Sequence, residues 1–197
     1  MLEVRNVKIY DLEESVIASR NAMRLQMPEY TKEELEESLN RAIKLGKTPN
    51  GSGHQTFLSG MRVSFDLKYP NYIRPELQRY HFFDIVTSSS KMHKLMSMDM
   101  DMCFNEYVTD LSKKQMKELV AAYNEDKSYK NFIIALSNCP QGIELFMRCS
   151  TNYLQLKTIY NQRKNHKLVE DWQIGFCENF IKKLPYAQEL IICEINK

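Results

Sequence analysis

Residues Met61 to Leu67 read Met-Arg-Val-Ser-Phe-Asp-Leu, apolar and polar in strict alternation. Successive side chains of an extended chain point to opposite faces, so these residues predict a strand with one buried and one wet face. Leu2 to Tyr10 alternates more loosely through Leu2, Val4, Val7 and Ile9 and predicts a half-buried strand. Gly142 to Cys149 fits a strand or a short helix, and its periodicity does not decide between them.

Helical signals surround these strands. Asp11 caps a helix expected to run to about Arg24, with Val16, Ile17 and Met23 as its apolar face. Pro28 breaks the chain, and Thr31 with Glu34 forms a capping box in which hydroxyl and carboxylate each satisfy a free backbone N–H. The helix so opened carries Leu35, Leu39 and Ile43 and ends at Gly46. Lys47 to Gly53 is a loop without phosphate-loop spacing, and Lys68 to Arg74 is a turn. Pro75 suits the first position of a long helix expected from Glu76 to about Met96, because Leu77, Tyr80, Phe83 and Val86 recur at three-residue steps. Met96 to Met102 reads as a loop. Ser112 with Gln115 opens a helix to about Tyr123, and further helices are expected over Ser128–Ser137, Thr151–Arg163 and Glu170–Leu184, the last holding Trp172. No repeat or low-complexity linker divides the chain, so residues 1–197 are expected to form one α/β domain.

Composition excludes several classes. A net charge of +2 gives no general attraction to nucleic acid, so phosphate binding has to come from local arginines and lysines. The five cysteines are scattered and form no C-x-x-C pair, which argues against a zinc site or a disulfide framework and fits a reducing cytoplasm. There is no apolar leader after Met1 and no apolar run long enough to span a membrane, so a cytoplasmic protein without membrane contact is expected. G-x-S-x-G and His-x-x-x-His are both absent, so neither a serine nucleophile nor a metal site is expected.

The stretch from Pro75 to Tyr107 concentrates the groups that bind nucleotides or anions. It holds Arg79, His81, three consecutive serines (Ser88 to Ser90), Lys91, His93, Lys94, Asn105 and Glu106. Cations meet phosphates, imidazoles lie against rings, and amides or carboxylates read base edges. His54 and the segment Asn152 to Arg163 supply similar groups. Read singly, each residue is equally at home in a structural role, His81 as a core histidine and Glu106 as a helix-end carboxylate.

Three segments, in the same order, resemble those of flavin-dependent thymidylate synthases. His54-Gln55-Thr56-Phe57-Leu58-Ser59-Gly60, running into Met61–Leu67, is similar to that family's His-x-Ser-Pro-Phe-Glu-His stretch and the strand after it. Met92-His93-Lys94 looks like a decayed Arg-His-Arg, and Cys103-Phe104-Asn105-Glu106-Tyr107 like the Ser-x-Asn-Glu that follows it, with a spacer six residues longer. Asn152 to Arg163 is similar to Asn-Leu-Arg-Ser-Leu-x-His-Phe-Leu-x-Leu-Arg, matching at Asn152, Leu156 and Arg163. Leu154 stands where the family has the arginine that holds the substrate phosphate.

The resemblance implies an α/β (α+β) fold, a small mostly antiparallel sheet packed by several helices, in a homo-oligomer, by resemblance a tetramer, with sites at subunit contacts. It implies FAD, with folate as carbon donor, and one-carbon transfer to a pyrimidine deoxynucleotide resembling dUMP. Cofactor contacts are expected from His54, Arg79, His93, Lys94, Asn105 and Glu106, and substrate contacts from Cys103, Gln155 and Arg163. Lys91 and Lys157 are further candidates to replace the lost arginines. No catalytic residue is assigned. The alternative is a relative without catalysis that binds a nucleotide or a protein partner, such as a phage-type accessory or inhibitor protein.

Overall fold

The computed structural model describes residues 1–49 and 51–193. Asn50, inside the expected Lys47–Gly53 loop, lies outside the described residues.

Four strands form an antiparallel sheet in the order β1-β2-β4-β3: β1 Glu3–Tyr10, β2 Arg62–Pro70, β3 Asp84–Ser88 and β4 Glu144–Asn152. Strands β2 and β4 pair along their whole nine-residue lengths. The alternation of Met61–Leu67 is the reason for the two faces. Val63, Phe65, Leu67 and Tyr69 lie opposite Thr151, Cys149, Met147 and Leu145, and all eight are buried. On the other face Asp66 meets Arg148 at 3.1 Å and Lys68 meets Glu144 at 2.5 Å. Both edge strands carry a register shift, between Arg5 and Lys8 in β1 and between Ile85 and Thr87 in β3.

Helices α1 (Leu12–Ala18) and α2 (Lys32–Gly46) follow β1. Thr31 Oγ1 accepts from Glu34 N as expected, but the other half of the capping box does not form, because the Glu34 carboxylate pairs with Arg20 and Arg24. Helix α1 ends well before Arg24, and a short 3-10 turn, Asn21–Met23, follows it. The long helix expected from Glu76 does not form. A single turn α3 (Arg74–Leu77) leads through consecutive tight turns, Tyr80 N to Leu77 O and Phe83 N to Tyr80 O, into β3. The three-residue recurrence of Leu77, Tyr80 and Phe83 is therefore real, but it belongs to stacked i→i+3 turns that bury all three residues. Ile85, Val86 and Thr87 are β-branched, and the open edge of β4 takes them as a strand because its backbone groups need partners. Ser89 extends this ladder, bonding Phe146 O and Phe146 N.

Past the single turn α4 (Lys91–Lys94) come α5 (Asp110–Glu125) and α6 (Tyr129–Asn138). The cap of α5 is Thr109, bonded by Ser112 N, one turn earlier than the Ser112–Gln115 pair suggests. Ser128 caps α6 as expected from its position. These helices enclose a second apolar cluster with Leu95, Met100, Cys103, Phe104 and Ile143, apart from the main core. Helix α7 (Tyr153–Arg163) starts directly from β4, its first turn capped by Asn152 Oδ1 on Gln155 N at 2.9 Å. The expected last helix is a π-helix over Val169–Glu178, followed by a 3-10 turn Ile181–Lys183 and the single turn α8 (Ala187–Leu190). A Cβ on Gly175 would lie 2.6 Å from Leu2 O, so a glycine lets the π-helix press against the start of β1.

The core beneath the sheet is aromatic. Phe65 packs its ring on Phe180, Phe83 and Phe176 at centroid distances of 4.6, 5.9 and 6.1 Å. Phe65→Ala should therefore lower the unfolding free energy by about 3–5 kcal/mol. Urea denaturation followed by circular dichroism measures it, and a loss below about 1 kcal/mol would show that the ring is not central to the core.

Candidate functional site

The chain brings three of the expected site residues to one place. Helix α7 presents Gln155, Thr158, Gln162 and Arg163, and the turns before β3 present Arg79, Tyr80 and His81. Together they line a polar cleft of about 440 Å³. The floor of this cleft is fixed by side-chain bonds to backbone. Thr151 Oγ1 donates to Phe82 O at 2.8 Å, and Gln155 Oε1 accepts from Phe82 N at 3.3 Å. The segment carrying His81 is thereby held against the start of α7. Arg79 and His81 are exposed at the rim.

Arg163 is not a free cation. Its Nε donates to Tyr80 Oη at 2.7 Å, its Nη1 lies 3.1 Å from Glu76 Oε2, and its guanidinium carbon sits 4.6 Å from the Trp172 ring centroid. Glu76 also accepts from Trp172 Nε1 at 2.5 Å, and His166 Nε2 lies 3.7 Å from its other oxygen. One carboxylate thus ties α3, α7 and the π-helix together. Burial pushes the Tyr80 phenol above its ordinary pKa, so Tyr80 stays protonated while accepting from Arg163. Glu76, Tyr80 and Trp172 are the partners that sequence reasoning missed. Pro75-Glu76 read only as a helix start, and nothing local links it to a tryptophan at position 172.

Asn105 lies in a different cleft, of about 460 Å³, with Tyr72, Tyr107, Lys167 and Glu170. The segment Cys103–Asn105 is fastened alongside Gly142–Glu144, with Glu144 N donating to Cys103 O and Asn105 N to Gly142 O. Tyr72 donates to Asp171 Oδ2 at 2.8 Å, and burial together with that carboxylate pushes the phenol above its usual range. Asp171 lines this second cleft, while the next residue, Trp172, packs on Arg163 of the first.

The remaining expected residues do not converge. His54, His93, Lys94 and Glu106 are exposed and line neither cleft. Cys103 is buried in the second apolar cluster, where desolvation pushes its thiol up to about 11. It is a protonated thiol at neutral pH. Lys157 is fully buried and donates to Gly46 O at the end of α2, so it cannot stand in for a phosphate arginine. A further hollow, of about 710 Å³, is the trough over the open face of the sheet, where Asp66 with Arg148 and Lys68 with Glu144 already pair. Among the described residues no group of three or more His, Cys, Asp or Glu side chains is placed to hold a metal ion. No described helix is long and apolar enough to cross a membrane.

No protein-family model matches the sequence, and no curated protein matches it. Solved structures do match in shape. A flavin-dependent thymidylate synthase from Helicobacter pylori, complexed with FAD and dUMP, aligns with a TM-score of 0.74 at 17% identity, covering 98% of this chain and 99% of that one. A second structure of the Helicobacter pylori synthase, also with FAD and dUMP, aligns with a TM-score of 0.70 at 15% identity and 97% of each chain. The chain has the flavin-dependent thymidylate synthase fold. In this thymidylate synthase fold the sheet, α7 and the turns before β3 build the cleft from residues far apart in sequence.

Removing Glu76 from that arrangement should be costly, because Arg163 and Trp172 Nε1 both lose their acceptor. Glu76→Ala is expected to cost about 1.5–3 kcal/mol of stability, with a change in Trp172 emission as its indole loses a charged partner. Unchanged urea midpoint and emission would mean that the carboxylate does not join these elements in solution.

Proposed function

We propose that this protein binds FAD and a pyrimidine deoxynucleotide resembling dUMP and transfers a one-carbon unit to the base. The observation that carries the reading is the α7 cleft, polar, of mononucleotide size and edged by guanidinium and imidazole groups, in a fold whose solved examples are complexed with FAD and dUMP. Arg79, exposed at the rim, binds phosphate oxygens. His81, whose ring meets Phe82 edge-on at 4.7 Å, lies against a planar ring of the ligand. Gln155 spends its carbonyl on Phe82 N and keeps its NH₂ for a base carbonyl. Arg163, fixed by Glu76 and Tyr80, contributes a positioned positive edge rather than a mobile one.

These groups suit the anionic and amide-reading parts of such ligands. FAD supplies hydride chemistry when bound, and folate is the carbon donor by resemblance. A cleft of about 440 Å³, open at its rim, takes part of such an assembly. A second copy of the chain, in a homo-oligomer, covers the rest.

A second reading is supported by a specific observation. Arg163 is already neutralised by Glu76, Lys157 is buried, and Leu154 occupies the place of an arginine. Such a chain retains nucleotide or protein binding without turnover.

The test is flavin retention after gel filtration with excess FAD, read by visible absorbance, followed by calorimetric titration with dUMP. Wild-type protein is expected to hold both ligands, and Arg79→Ala to weaken dUMP binding by roughly 10-fold or more. Equal affinity in the variant would remove the cleft from the reading. Binding of both ligands without formation of thymidylate from dUMP and methylene-folate would select the binding protein over the enzyme.

A further inference from the structure

The five cysteines divide by surroundings. Cys103, Cys139, Cys149 and Cys177 are buried, and desolvation pushes each thiol upward, Cys149 and Cys177 to about 12. Cys193 alone is not buried. It is also the cysteine that faces an amine. Lys157 Nζ lies 3.5 Å from Cys193 Sγ, and both groups bond the same acceptor, Gly46 O, the thiol at 3.6 Å.

The position of Lys157 has a physical reason. Gly46 ends α2, where the last carbonyls lack helical partners and the helix dipole favours a cation. Lys157 reaches there from α7 with no exposed surface. Gln55 Nε2 donates to the same carbonyl at 3.2 Å, so the backbone around it is held from two sides. Lys157 Nζ is therefore immobilised with Cys193 Sγ beside it, and Cys193, unlike Lys157, keeps part of its surface exposed.

We propose that Lys157 and Cys193 form a modification site, a peroxide-driven sulfenamide cross-link between α7 and the segment after α8. Hydrogen peroxide transfers one oxygen to the Cys193 sulfur. The sulfur is oxidised by two electrons to sulfenic acid, and the peroxide is reduced to water. The Lys157 nitrogen then attacks the sulfur, the S–O bond breaks, and a second water leaves with one proton from the amine. If the amine starts as ammonium, its additional proton passes to solvent. The product is one S–N bond, with the pair lighter by two hydrogens than before, and a thiol reductant restores both side chains. Burial withholds the other four cysteines from peroxide.

Mass spectrometry of the peroxide-treated, non-reduced protein tests this. The expected result is one peptide pair joining Lys157 to Cys193, lighter by two hydrogens than the sum of its parts. Tryptic cleavage after Lys157 should be lost and then recovered on adding dithiothreitol. Cys193→Ser should abolish the linked pair. Lys157→Arg, which keeps a cation at Gly46 O but no amine, should leave Cys193 as sulfenic or sulfinic acid. Wild-type protein in which Cys193 reaches sulfinic acid while trypsin still cuts after Lys157 would overturn the proposal, as would Cys193 unchanged by peroxide. Should Lys157→Arg fail to fold, the wild-type map and Cys193→Ser decide the matter.

Discussion

The continuous pairing of β2 with β4 is the constraint on which the remaining structure depends. It joins Arg62–Pro70 to Glu144–Asn152 without a break, so one alternating pattern is read on both strands at once. A slip of β2 by one residue would send Phe65 and Leu67 to solvent and bring Asp66 into an aromatic core. Everything else attaches to this pair. Strand β1 borders β2, β3 borders β4, and α7 begins at the last residue of β4. The cleft on α7 therefore inherits its position from the sheet.

The parts of the fold legible in the sequence are those set by neighbours a few residues apart. The alternation at Met61–Leu67, the cap at Thr31 and the stop at Gly46 are local, and the structure contains them. Strand β3 was hidden because its residues sit where a three-residue period suggests a helix, and the deciding partner, β4, lies some sixty residues on. The π-helix was hidden for a related reason. Its apolar residues recur acceptably for an ordinary helix, and its contact with Leu2, close enough to need a glycine at 175, is with a residue far away in sequence. At the cleft, Arg79 could be named from residue type, and Gln155 and Arg163 through the family resemblance. Their assembly, and the separation of Asn105 from them, follow from the turns before β3 and from the path of Cys103–Asn105 beside Gly142–Glu144.

The Glu76 hub shows how one carboxylate serves both architecture and site. It is only partly exposed and has three nitrogen donors around it, on Arg163, Trp172 and His166. Arg163 loses freedom in that company and gains a fixed orientation. The guanidinium therefore enters the cleft with its charge already offset by Glu76, while the exposed Arg79 at the rim has no such partner among the described residues.

The register shifts in β1 and β3 affect more than the sheet's own geometry. These are the two strands with an unpaired side, and an uninterrupted free edge is a template on which another extended chain can grow. A bulge makes the local twist stronger and breaks the even row of donors and acceptors. With both borders so interrupted, neither edge offers an even ladder, and the sheet resists lengthening by strand addition and growth into fibrils.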